Sequence, residues 1–310
     1  MSRRGWVLFL SMAVIWGIPY LLIKVAVEEL HPAVVVAVRC ALGSLLLVPI
    51  ALARGGFGGL RGHWRWVVLF ALVEITAPFL LLSFAEIRLS SSLTGLLVAM
   101  VPLLAAVAAR LVGLDRIDAR RAVGLLVGLA GVALLVGVDV RGGDLLAVLA
   151  VVGAAVGYAA GPILLATRLR QVPSLPLTAV ALALAAAVVA PWAVVERPPD
   201  PGAVTAEAWL SVATLGVVCS AVALLVFFAL VAEVGPARAA VITYLNPVVA
   251  LALGALLLGE AVTLGMIVGF PVILAGSWLA TSRRSGRPMP PDPGDPGDAA
   301  DAPAPATPVR

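Results

Sequence analysis

The sequence predicts an all-α integral membrane protein of ten transmembrane helices, arranged as two inverted five-helix repeats. Three observations lead there: an apolar composition with few charges, ten apolar runs of spanning length, and an internal duplication. Of the 310 residues, 62% are hydrophobic and 12% charged, and the mean hydropathy is +1.11. A soluble domain carries about twice that charged fraction, so the bilayer is the expected solvent. The isoelectric point of 9.7 invites a nucleic-acid reading. The net charge is only +4, however, and the basic residues are scattered in ones to threes. That pattern orients a membrane protein and builds no phosphate-binding surface, so no nucleic-acid partner is expected.

Apolar runs broken by charge, Pro or Gly place the spans at 6–26, 33–53, 66–86, 91–112, 122–138, 145–166, 175–195, 208–230, 238–258 and 262–280. The first run follows Arg3 and Arg4 and ends at KVAVEE without a small-residue cleavage site, so a retained helix is expected in place of a signal peptide. From Arg283 the composition changes to eight prolines and the repeat PDPGDPGD, which predicts a disordered cytoplasmic tail over 283–310. Connections on the N-terminal side carry Arg3, Arg4, Arg54, Arg61, Arg65, Arg116, Arg120, Arg121, Arg168, Arg170, Arg283, Arg284 and Arg287, against Arg88, Arg141 and Arg197 opposite. The excess puts both termini in the cytoplasm.

A shift of 145 residues aligns Trp64 with Trp209, Pro102 with Pro247, Asp115 with Glu260, Gly124 with Gly269 and Gly131 with Gly276. A shift of 142 brings Trp16 to Tyr158 and Pro49 to Pro191. Leu, Ala and Val match cheaply among apolar helices, but Trp, Pro, acid and Gly do not. The repeats are then 1–140 and 141–282. Five spans each is an odd number, which inverts the second copy and implies a site at the repeat interface, as in secondary transporters.

The stretch GPARAAVITYLNPVVALALGALLLGEAVTLGMIVGFPVILAGSWL, from Gly235 to Leu279, resembles the ten-helix EamA type of the drug/metabolite transporter superfamily. The resemblance rests on Pro247, the Leu258-Gly259-Glu260 triplet and the spaced Gly265, Gly269 and Gly276. It rests also on Trp16-Gly17, Lys24, Pro32 and Arg39 in the first repeat. It departs at 112–116, where VGLDR replaces a Leu-Gly-Glu, and at Tyr158-Ala159, where a Trp-Gly would stand. The resemblance implies a secondary transporter, often an exporter, of small organic metabolites, amino acids or drugs, working by alternating access in a bacterial plasma (inner) membrane. Its partners would be a small-molecule substrate and the lipid bilayer.

Several polar residues within the spans are candidates to carry transport. Glu74 lies eight residues into the third span, about 12 Å deep at about 1.5 Å per residue. An acid there must face protein or water. It either couples protons or binds a substrate amine, or it forms an ion pair between helices with Arg39. Arg39 in the second span offers a fork for a substrate carboxylate, or else holds helices together or snorkels. Trp16, Tyr20 and Lys24 recur every four residues on one helical stripe. With Tyr158 at the matching place, they suit a cavity for an aromatic or amphipathic solute. The alternative is core packing, with Lys24 snorkelling outward. Thr243, Tyr244 and Asn246 precede Pro247, which frees a backbone carbonyl. These groups either hydrogen-bond substrate or satisfy the kinked helix, and Pro102 makes the same break in the fourth span.

Asp115 and Glu260 end the fourth and ninth spans and are expected to accept backbone N–H groups at the next helix start, with gating as the alternative. The patterns GLLVG (124–128) and GMIVG (265–269) permit close helix contact within a subunit or across a homodimer. A monomer or homodimer is therefore expected.

A membrane enzyme finds little support, since no HExxH, GxSxG or suitably flanked GxGxxG appears. Cys40 and Cys219 sit in apolar runs, and His31 and His63 are on separate connections. No disulfide, metal site or cofactor is expected. A non-transporting scaffold or receptor is the remaining alternative, and it leaves Glu74 and Arg39 without a purpose.

Overall fold

Within a bilayer every backbone N–H and C=O must be paired inside the protein, and the apolar runs achieve this as helices. The computed structural model describes residues 1–115, 117–139 and 144–281. Arg116, Arg141 and the predicted tail over 283–310, with its arginines, lie outside the described residues.

Among the described residues there is no strand. Among the same residues nine helices are long and apolar enough to cross a membrane: Arg3–Val27, Pro32–Ala53, Trp64–Glu86, Ser91–Leu111, Ala119–Gly137, Leu145–Arg168, Ser174–Val195, Ala206–Val234 and Leu264–Thr281. The shorter Ile242–Leu257 stands where the ninth span is predicted. We number these ten helices as spans in chain order. Their starts follow the capping chemistry of short polar side chains. Ser90 Oγ accepts from Leu93 N at 3.1 Å, Thr205 Oγ1 from Ala208 N at 3.3 Å, and Thr263 Oγ1 from Met266 N at 3.1 Å.

The principal packing pairs are the second span with the seventh, third with sixth, fourth with ninth, fifth with tenth, and first with eighth and ninth. Replacing each span by the one five places along turns most of this set into itself: third with sixth becomes eighth with first. The fifth and tenth spans touch backbone to backbone. A Cβ on Gly131 would lie 2.6 Å from Ile273 N and 2.9 Å from Gly269 O, and one on Gly269 would lie 2.9 Å from Gly131 O. Gly124 and Gly276 are equally confined by each other's helix. The small-residue patterns therefore join the two halves of one chain.

Four spans are irregular. The first breaks at Ile18, ahead of Pro19, and the fourth at Ala99–Met100, ahead of Pro102. The third and eighth carry π-helical turns at Ala71–Thr76 and Val217–Val222, 146 residues apart and thus at one place in the duplication. In each turn a hydroxyl reaches back five residues: Thr76 Oγ1 donates to Ala71 O and Ser220 Oγ to Leu215 O, both at 2.9 Å. Pro78, lacking an N–H, cannot bond the carbonyl of Glu74, which favours the widened turn. Pro247 differs from expectation. Helix Ile242–Leu257 runs through it, and the break falls upstream, between the short helix Pro236–Ala239 and Ile242. A proline ring needs only one missing hydrogen bond, and tight packing of the buried Pro247 keeps the helix otherwise intact.

The end of the bundle opposite the N-terminus is closed by contacts between the halves. Glu29 accepts from Thr205 N at 2.8 Å and from Thr205 Oγ1, which ties the first connection to the start of the eighth span. His31, Phe84 and Trp192 pack as an aromatic group with centroids 5.4 to 5.6 Å apart. At the near end, Arg65 and Arg168 both lie over the Trp66 ring, and Arg120 over Trp278.

Candidate functional site

Arg39 is 6% exposed and is held by two halves of the bundle. Its Nε donates to Ser220 Oγ at 3.1 Å, across to the π turn of the eighth span. Its guanidinium carbon sits 3.7 Å from the centroid of Phe79 on the third span. Gly43 and Gly216 let these helices approach: a Cβ on Gly216 would meet Arg39 O at 2.7 Å. The remaining guanidinium nitrogens have no acceptor among the described residues. Within electrostatic reach of this cation lie Tyr20, Tyr158, Cys40, Cys219 and Glu86.

The ion pair between Arg39 and Glu74 does not form. Glu74 sits inside the π turn Ala71–Thr76, and its Oε2 is buried without a hydrogen-bond partner. It faces the sixth span at Gly161, where a Cβ would collide with the carboxylate. Tyr158, three residues before Gly161, is within its electrostatic reach. The extra residue in the π turn re-aims Glu74 toward the sixth span and away from the second, a rotation no apolar periodicity reveals.

Tyr20 is buried, and Tyr158 packs against the same cluster, which includes Leu82, Ala85 and Leu89 of the third span and its turn. Tyr20, Arg39, Glu74 and Tyr158 are thus brought together between the halves. The other predicted residues stand apart. Trp16, separated from Tyr20 by the break at Ile18, packs at a tilt against Phe227 of the eighth span, with ring centroids 5.0 Å apart. Thr243 is exposed and donates to Ala240 O at 2.8 Å, satisfying the helix break. Tyr244 Oη lies 3.4 Å from Thr281 Oγ1. Asn246 keeps a buried Oδ1 with no partner, and its backbone carbonyl lies close to Gly17 of the first span.

Lys24 does not snorkel. Its Nζ donates to the carbonyls of Glu86 at 2.8 Å and Leu89 at 3.3 Å, capping the end of the third span. Glu260 does accept helix-start amides, but from the other half of the chain. Ser91 N donates to Oε1 at 2.7 Å, Ser92 N to Oε2 at 2.9 Å and Ser92 Oγ to Oε2 at 2.5 Å. Gly259, at φ 65°, turns the chain so that the carboxylate points across, and Gly254 leaves room for it. Gly113, at φ 76°, makes the same left-handed turn after the fourth span. Asp115 is bridged to Arg121 Nη1 at 2.7 Å, and Asp118 Oδ1 caps the fifth span through Arg121 N at 2.9 Å.

Sequence reasoning missed Glu86. It stands at the edge of an apolar run, where a charge reads as the membrane boundary, yet it is fully buried. Hollows flank the bundle among the described residues. One of about 490 Å³ lies at the near end among Phe57, Leu60, Arg61, Trp64 and Val180, away from Arg39. Another, of about 270 Å³, lies at the far end against Glu260, Ser90, Arg88 and Asp144.

The model of the EamA-like transporter family matches the chain twice, over residues 3–137 and 144–282. A solved crystal structure of a protein shares the fold with a TM-score of 0.63 at 21% identity, covering 91% of this chain and 97% of that one. No curated protein matches the chain in sequence. Among the described residues no group of three His, Cys, Asp or Glu side chains is placed to hold a metal ion.

Proposed function

Because the chain belongs to the EamA-like transporter family, we propose that it is a secondary transporter that exports small organic metabolites, amino acids or drugs by alternating access. The two halves, 1–140 and 141–282, are inverted repeats that rock around the site between them, with both termini cytoplasmic in a bacterial inner membrane. What carries this reading is Arg39: a buried cation fixed to both halves by one nitrogen and one aromatic face, with its other donors free. A guanidinium so placed recognises a carboxylate or similar anion. Glu74 serves a substrate amine or the coupling proton, and Tyr20 and Tyr158 supply aromatic walls. Thr243, Tyr244 and Asn246 belong to the moving ninth span, with Asn246 Oδ1 the group available to a passing solute.

Flux measured in proteoliposomes across amino acids, amphipathic amines and aromatic metabolites, with and without a pH gradient, tests the proposal. Arg39→Gln is expected to abolish uptake of carboxylate-bearing substrates, and Glu74→Gln to remove the pH dependence. Flux for none of these classes would sink the transporter reading in favour of a scaffold, and product formation would favour an enzyme.

A further inference from the structure

Glu86 has no role in the site just described. It is fully buried, and neither carboxylate oxygen has a hydrogen-bond partner. Ser91 Oγ, on the next helix start, is also buried and unpartnered. The chain between them is tight, because the amides of Arg88 and Leu89 both return to Ala85 O. The charged and titratable groups within electrostatic reach of Glu86 are Lys24 and Tyr20 from the first span, Arg39 from the second and Glu260 from the connection after the ninth. Lys24 sits beside Glu86 but directs its ammonium to the Glu86 and Leu89 carbonyls, not to the carboxylate.

Glu86, fully buried, and Glu260, half-buried, therefore flank the helix start at Ser91 with unequal support. Glu260 has three donors from Ser91 and Ser92, two of them at a helix N-terminus that favours negative charge. Glu86 has none. A buried carboxylate with no hydrogen-bond donor is costly to keep charged and needs either a partner or a proton. Resting on the alternating-access reading above, we infer that Glu86 is a proton-binding site that gates the far end. The far end closes, with Glu260 latched onto the fourth span, when Glu86 has taken up a proton. It opens as that proton leaves.

The balance is one carboxylate plus one proton from water giving one carboxylic acid, reversed on opening. The hollow of about 270 Å³ that borders Glu260 supplies the aqueous side of the exchange. The sense of the linkage is fixed: the closed form holds one more proton than the open form, so closure is favoured in acid and lost as pH rises.

Hydrogen exchange at the Ser91 and Ser92 amides reads the latch directly in the full chain reconstituted in nanodiscs. After correction for intrinsic exchange, wild-type protection is expected to fall at least tenfold between mildly acidic and alkaline buffer. Glu86→Gln, a neutral isostere, should stay protected throughout, and Glu86→Asp should restore the pH dependence. A Glu86→Gln curve that follows wild type would overturn the inference, as would protection that tracks sodium, exchanged for choline, at constant pH. An infrared carbonyl band of a protonated carboxyl, present in wild type and lost in Glu86→Gln, checks the same claim, and its absence from wild type overturns it. Neither readout needs flux, so a pH-dependent latch in a chain that moves no solute would refute the transporter reading alone.

Discussion

At the residue scale, the buried polar side chains differ in what they lack. Arg39 has a partner for Nε but free donors, Glu74 has an unpartnered Oε2, and Glu86 has nothing. Lysine would not reproduce the arginine. It keeps the charge but loses the planar fork whose Nε donates to Ser220 while the other nitrogens are left for the proposed anion. Arg39→Lys is expected to raise the transport KM at least tenfold with the protein still folded, checked by flux and by a melting curve. Gly161 is the other exacting position, because a methyl group there collides with the Glu74 carboxylate. Gly161→Ala should reduce flux several-fold, while Ala in place of Gly137, which meets nothing within 4 Å, should leave it unchanged. Glu29 sits outside the spans, where the Thr205 hydroxyl and then the Thr205 amide hold its carboxyl below the ordinary glutamate range. The contact is therefore present at neutral pH and lost as pH falls through that lowered value. Thr205→Val should abolish this acid-side loss, seen as exchange protection at the start of the eighth span.

At the element scale, the glycines that reveal the duplication are those that meet. Gly131 and Gly269 bring the fifth and tenth spans into backbone contact, with Gly124 and Gly276 beside them. A larger side chain must push the helices apart, at about 1–3 kcal/mol or more for an overpacked site. Gly131→Leu and Gly276→Leu should each lower the detergent melting temperature, and both should do so in monomeric protein, since the contact is within one chain. The paired π turns in the third and eighth spans present Glu74 and Ser220 to the interface between halves. They escape a sequence reading because a π turn is one extra residue accommodated by neighbours, and leaves the apolar run unchanged.

At the scale of the whole molecule, the contacts joining the halves differ between the two ends. The far end is tied by two carboxylates on helix starts, Glu29 on the eighth span and Glu260 on the fourth, and by the aromatic group around His31. The near end is joined by Ser2 and Arg4 to Glu233 and by arginines over tryptophans. The proposed alternating access demands that the far-end ties break. Glu260→Gln combined with Thr205→Val should therefore raise several-fold the reaction of buried Cys219 with a membrane-impermeant thiol reagent applied from the far side. An unchanged rate would show that these ties do not hold the end shut.

Apolar run length was enough to give an all-helical membrane protein, because lipid leaves the backbone no alternative to helices; the 145-residue duplication gave the two repeats, and the motifs from Gly235 to Leu279 the family. Glu74 and Arg39 were legible as exceptions, since charges within apolar runs stand out. Their relation was not, and neither were the partners of Lys24 and Glu260 nor the burial of Glu86. Those depend on which helix faces which across the halves, and the small rotations set by π turns, glycine contacts and left-handed turns decide that only once the bundle has assembled.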